Sequence, residues 1–165
     1  MHGCGNDYIY VVAMRARPAD PSALSVRLSD RHFGIGGDGL IMLAPSNTAD
    51  LRMEMYNADG SRGDMCGNGI RCLARLAFER GIVRTNPMVV ETDAGLKTVE
   101  LHMENGGVAS ATVDMGEPIL EGRDIPVNSC IAFKPPRPQA KASFATYHRA
   151  CASFSVLSTL SIRAR

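Results

Sequence analysis

The sequence of 165 residues lacks several features that would indicate particular partners. No acidic residue follows Asp124: residues 1–128 contain 12 basic and 17 acidic side chains, whereas residues 129–165 contain 6 basic and none acidic. The mildly acidic first part gives no electrostatic reason to expect a nucleic acid. Apolar runs such as residues 9–14 are far too short to span a bilayer. We therefore expect neither nucleic acid nor membrane as a partner.

Short motifs that would indicate other classes of protein are also missing. No charged segment followed by a hydrophobic stretch opens the chain, so no secretory signal is predicted. The five cysteines include no C-x-x-C pair, which disfavours a zinc site and fits a reducing cytosol better than a disulfide scaffold. The glycine-rich residues 34–39 lack the G-x-G-x-x-G register and the lysine of phosphate-binding loops. These absences predict a cytoplasmic protein without a metal or a nucleotide cofactor.

The length allows about one domain of ordinary size, and its predicted strands outnumber its helices. A helix is expected from Pro21 to about residue 31, because Asp20 offers an N-cap and proline suits the first helical position. Alternating apolar and polar residues at 51–56 predict a half-buried strand. Further strands are predicted at 8–14, 40–44, 88–92, 96–103 and 108–115, the last two joined by the turn 105–107. This pattern favours an α+β fold, with a sheet wrapped around the helix described next.

The segment that starts at Met65 is the most informative part of the chain. Its apolar residues recur at the spacing of an amphipathic helix that stops near Gly81, namely Ile70, Leu73, Ala74, Ala77 and Phe78. Cys66 therefore lies at or just before a helix N-terminus, where unpaired N–H groups and the helix dipole stabilise a thiolate or a bound anion. The alternative is that Cys66 is a small buried residue before an ordinary helix.

Other residues that could carry chemistry give weaker signals. Cys72 lies next to the apolar face of the predicted helix and fits a packing role. His2 and His32 could act as acids or bases, but neither has a second metal ligand at a suitable spacing, so structural roles are favoured. A cysteine hydrolase would need a histidine base beside Cys66, and pairing with His32 stays an open alternative.

Composition changes from about residue 129. Residues 134–138 (KPPRP) form an extended basic and proline-rich stretch, and the rest is rich in alanine and serine without clear periodicity or caps. This composition favours disorder or poor packing. We therefore predict a domain at residues 1–128 followed by an unrelated basic tail at residues 129–165.

Four ordered motifs and a strand ending together resemble the diaminopimelate epimerase family. The resemblance covers about residues 1–128, and four motifs in one order form a far more specific signal than any one of them. The matching segments are residues 1–8 (MHGCGNDY), 31–40 (RHFGIGGDGL), 56–61 (YNADGS), 65–72 (MCGNGIRC) and 113–118 (VDMGEP).

The resemblance implies a mechanism without pyridoxal phosphate or metal. In this family one cysteine thiolate removes the α-proton of diaminopimelate, and a second thiol delivers a proton to the other face. The resemblance implies that Cys66 is one of these two residues. It also implies that Asn6 and Asn57 bind substrate and that Gly67 and Asn68 hold its carboxylate through their backbone. This role agrees with the helix start, because charge that develops beside a carboxylate needs preorganised N–H donors.

The resemblance also implies that half of the family's site is missing. The second cysteine motif and its helix start have no counterpart in the sequence, and a few residues of the family's opening strand are absent. The chain is therefore similar to the N-terminal half of such an enzyme, followed by an unrelated tail. The alternative function is an inactive fragment that at most binds an amino-acid carboxylate. A subordinate hypothesis is a homodimer in which two copies each supply Cys66.

Overall fold

The computed structural model describes residues 1–116 and the two-residue strand Phe154–Ser155. Its two helices are α1 (Pro21–Ser29) and α2 (Gly67–Glu79). The strands are β1 (His2–Gly3), β2 (Asn6–Asp7), β3 (Ile9–Val12), β4 (Gly39–Ala44), β5 (Leu51–Asn57), β6 (Arg62–Gly63), β7 (Met88–Thr92), β8 (Gly95–Glu104), β9 (Gly107–Val113) and β10 (Phe154–Ser155). Neither helix among the described residues is long and apolar enough to cross a membrane.

The main sheet is mixed, with both parallel and antiparallel strand pairs. Its strands follow the order β3-β4-β5-β7-β8-β9, and β6 pairs with β5 beside this path. The pairs β3–β4 and β5–β7 are parallel, whereas the other pairs are antiparallel. A second, small sheet has the order β10-β1-β2. Most of the predicted tail lies outside the described residues.

Helix α2 packs its apolar stripe against the main sheet. Ile70, Leu73, Ala74 and Ala77 are buried in one cluster with sheet residues that include Ile41 of β4. The helix ends where the sequence predicts, since Gly81 has a φ of 65° and its N–H donates to the Phe78 carbonyl. The prediction of an α+β fold with a sheet around this helix is therefore confirmed.

Strand β5 differs from its prediction, because both of its faces are covered. Met53 and Met55 face the cluster around α2, while Tyr56 packs in a second cluster with Leu24 of α1. Glu54 is only 4% exposed and forms an ion pair with Arg17 at 2.7 Å. The prediction of a half-buried strand is wrong, since α1 and this ion pair cover the face that alternation assigned to solvent.

The start of α1 gives a first testable prediction. The Asp20 side chain accepts a hydrogen bond from the Ala23 N–H at 3.0 Å, so Asp20 caps the helix as predicted. We expect Asp20→Ala to lower the free energy of unfolding by about 1 kcal/mol, measured by urea denaturation. Asp20→Asn is the control, because asparagine caps as well as aspartate does. An equal loss in both variants would contradict the capping role.

Candidate active site

The candidate site is built around Cys66, the N-cap residue of α2. Cys66 has extended backbone angles (φ −132°, ψ 115°), and its sulfur accepts a hydrogen bond from the Gly69 N–H at 3.3 Å. The sequence-based placement of Cys66 at a helix start is thus what the structure shows. The half-buried thiol is free, as is that of the fully buried Cys72.

Asn6 reaches the same sulfur from a different element. Its side-chain Nδ2 donates to Cys66 Sγ at 3.5 Å, across 60 positions of the sequence. A two-residue hairpin turn places it, since Cys4 and Gly5 both have positive φ and join β1 to β2. The structure therefore brings together two of the residues singled out in the sequence.

Gly67 and Asn68 form the first turn of α2. The first hydrogen bond within the helix runs from the Ile70 N–H to the Cys66 carbonyl at 2.8 Å. The N–H groups of Gly67 and Asn68 thus precede any helical acceptor and are available for an anion. The Asn68 side chain has a different role, because its Oδ1 accepts a hydrogen bond from the buried Arg71 at 2.6 Å.

Asn57 lies at the end of β5. Among the described residues, its side chain donates to the Ser61 hydroxyl at 2.9 Å and its carbonyl accepts from Ser25 at 2.8 Å. These contacts link Asn57 to its own turn and to α1 rather than directly to Cys66. Its role in substrate binding stays a prediction.

The structure adds neighbours that residue chemistry alone did not indicate. Tyr8 is buried, and this burial together with the nearby Cys66 raises the pKa of its phenol to about 12. Met115 covers the helix start, because its sulfur lies 3.4 Å from where a Cβ on Gly67 would be. Both belong to motifs that the resemblance had marked, but only the fold shows that Tyr8 lies near Cys66 and Met115 near Gly67.

A histidine base and a set of metal ligands are the other groups that could carry chemistry in this region. His32 is exposed in the turn after α1, where its backbone N–H donates to Asp30 Oδ1 at 2.7 Å. Within residues 1–116, no group of three or more His, Cys, Asp or Glu side chains is arranged to hold a metal ion. Among the described residues, Cys66, Asn6 and the first turn of α2 form the cluster that could carry chemistry.

Most of this chain matches one known protein family. The family model described as diaminopimelate epimerase matches residues 1–121. This chain belongs to the diaminopimelate epimerase family. It is 53% identical over 127 residues to the diaminopimelate epimerase of Agathobacter rectalis, covering 77% of this chain and 45% of that protein. The corresponding values for the enzyme of Methanococcus maripaludis are 49% over 129 residues, 78% and 47%.

The chain spans about half the length of these diaminopimelate epimerases. Solved structures with low sequence identity share the fold. A phenazine biosynthesis protein of the PhzF family from Bacillus anthracis has a TM-score of 0.52 at 20% identity, covering 68% of this chain and 35% of that one. A methylitaconate-delta-isomerase has a TM-score of 0.50 at 19% identity, with 66% and 59% covered. These likenesses support the fold alone.

Proposed function

We propose that this chain provides one half of a cofactor-independent diaminopimelate epimerase site, with Cys66 as the acid/base thiol for one face of the substrate's α-carbon. The substrate would be L,L- or meso-diaminopimelate, and the pathway lysine biosynthesis in the cytoplasm. The family match and the identities near 50% support this substrate class. Neither pyridoxal phosphate, metal nor nucleic acid is part of the proposal.

The position of Cys66 carries the proposal. Removing a proton next to a carboxylate produces negative charge that must meet fixed donors in the transition state. The Gly67 and Asn68 N–H groups would receive the carboxylate, while the sulfur acts on the α-proton beside it. Donors from Gly69 and Asn6 already meet the sulfur at 3.3 and 3.5 Å, so its position is set before substrate arrives. General acid/base catalysis requires this kind of preorganised contact.

One thiol would act on one face only. The second cysteine motif of the family is absent from the sequence. Cys72 is fully buried, and burial raises the pKa of its thiol, so it is unsuited to replace the missing group. After abstraction, the proton would return from the same side. We therefore propose that the chain exchanges the α-proton with solvent far faster than it inverts the carbon.

This difference between exchange and inversion gives the test. The full chain is incubated with L,L- and, separately, meso-diaminopimelate in deuterated water, after dialysis against a chelator and without pyridoxal phosphate. Mass spectrometry measures α-deuterium, and chiral chromatography measures inversion. We expect deuterium incorporation to exceed inversion by at least about tenfold, since a single general base supports abstraction but no delivery from the opposite face.

The other outcomes of this experiment distinguish the remaining hypotheses. Binding in calorimetry without any deuterium incorporation would identify an inactive fragment. Inversion as fast as exchange, together with a dimeric mass in sedimentation, would support the homodimer in which each copy supplies Cys66. Inversion as fast as exchange in a monomer would contradict the assignment of a single functional thiol.

A further inference from the structure

Arg31 joins two carboxylates that lie beside the candidate site. Its Nη2 is 2.8 Å from Asp7 Oδ1 and 3.0 Å from Asp38 Oδ1, and its Nη1 donates to Asp7 Oδ2 at 3.3 Å. The contact holds the pKa of the Asp7 carboxyl below its usual value. One guanidinium thus fixes the strand that carries Asn6 to the glycine-rich loop before β4.

Asp38 also connects the two asparagine-bearing segments through hydrogen bonds to their backbones. Its Oδ2 accepts from the Asp7 N–H at 2.9 Å, and its own N–H donates to the Asp7 carbonyl at 2.6 Å. On its other side, the Asp38 carbonyl accepts from the Ala58 N–H at 3.1 Å. Asn6 precedes Asp7 and Asn57 precedes Ala58, so Asp38 lies between these two segments.

The exposure of this ion-pair group argues against a role in stability alone. Arg31 is 57% exposed, Asp38 44% and Asp7 35% in their side chains. Ion pairs with this exposure contribute little to folding, because water solvates the separated charges well. The Asn6 amide reaches Cys66 Sγ at 3.5 Å from a separate element, β2, so the contact depends on where β2 is held.

We propose that Asp38, held by Arg31, is a positioning residue that keeps the Asn6 amide on the Cys66 sulfur and fixes the spacing between the Asn6 and Asn57 segments. This inference rests on the proposed function for its catalytic meaning. Apart from catalysis, the proposal states only that Asp38 acts on Cys66 through Asn6. A double-mutant cycle separates such an indirect effect from a general loss of structure.

The experiment measures how fast iodoacetamide alkylates Cys66 in the full chain at about pH 7, where thiolate content controls the rate. Tryptic cleavage isolates Cys66 as the single cysteine of residues 63–71, so mass spectrometry follows this site alone. We expect Asp38→Asn to slow alkylation by about three- to tenfold, because the sulfur loses a donor to its charged form. In an Asn6→Ala background the same substitution should change the rate by less than about twofold.

Glu79→Gln is the matched control. It removes the Arg75–Glu79 ion pair of α2, which lies about 20 Å along the helix from Cys66, and should leave the alkylation rate unchanged. Circular dichroism establishes that each variant is folded. If Asp38→Asn does not fold, Arg31→Gln makes the same test from the other side of the ion pair.

Slower alkylation that disappears in the Asn6→Ala background supports the positioning role. An unchanged rate, a faster rate, or an equal change in both backgrounds overturns it. Alkylation requires no turnover of diaminopimelate. A wild-type chain that incorporates no deuterium would therefore refute the proposed function and leave this cycle to decide the positioning role separately.

Discussion

Replacing Cys66 with serine is expected to lower the rate of α-deuterium incorporation into diaminopimelate by about 10²- to 10⁴-fold, the usual contribution of a positioned general base. A serine hydroxyl is a far weaker acid than a thiol, so it supplies almost no conjugate base near neutral pH. The expected loss is in chemistry rather than in binding. The Gly67 and Asn68 N–H groups belong to the backbone of α2, so calorimetry should find diaminopimelate affinity nearly unchanged.

Cys72→Ala is the matched control for this variant. Cys72 lies on the same helix, but its side chain is fully buried. We expect Cys72→Ala to retain deuterium incorporation within about threefold, since it leaves Cys66 and its donors in place. Exchange that persists in Cys66→Ser would remove Cys66 from the mechanism. Exchange lost equally in both variants would indicate damage to the helix instead.

Local sequence patterns were sufficient to predict α2 and several strands. Three local features of α2 agree with one another: the apolar spacing, the thiol before the first turn and Gly81 after the end. The helix could therefore be predicted with both its boundaries. The hairpin between β8 and β9 was predicted for a similar reason: Asn105 and Gly106 both adopt the positive φ that their turn requires. Such elements depend on neighbours within a few residues.

Features that depend on distant contacts were not predictable in this way. The alternation in β5 did not reveal that α1 covers its second face, because a buried Glu54 is recognisable only once Arg17 is placed beside it. Strands β1 and β2 have two residues each, too few to show any periodicity. These two short strands are recognisable only from their pairing in the fold, and not from the composition of the sequence.

The candidate site, too, was predictable only where it depends on residues that are close in the sequence. The helix start made Cys66 a candidate from its sequence context alone. The Asn6 contact joins residues 60 positions apart, and only the resemblance to a family had named Asn6 beforehand. Asp38 was not singled out, because the glycine-rich loop does not match a phosphate-binding motif and its sequence gives no sign that in the fold it connects two strands. Positioning residues of this kind become visible only with their partners.

Gly39 of that loop gives the second prediction with a large effect. It is the first residue of β4 and pairs with Asn57. A Cβ at this position would lie 2.2 Å from the Tyr56 carbonyl oxygen and 2.9 Å from Tyr8 Cε1, at a φ of 154°. The backbone carbonyl is held in the β4–β5 ladder and cannot rotate away. We expect Gly39→Ala to lower the free energy of unfolding by about 3 kcal/mol or more, measured by urea denaturation.

Gly95 provides the control that separates steric overlap from backbone preference. Gly95 has a φ of 96°, but a Cβ there would meet nothing within 4 Å. Gly95→Ala should therefore cost only about 1 kcal/mol, the usual penalty for an unfavourable φ. Equal losses in the two variants would show that the overlap at Gly39 is relieved cheaply. A larger loss at Gly39 would instead support the conclusion that β5 approaches β4 too closely there to admit a side chain.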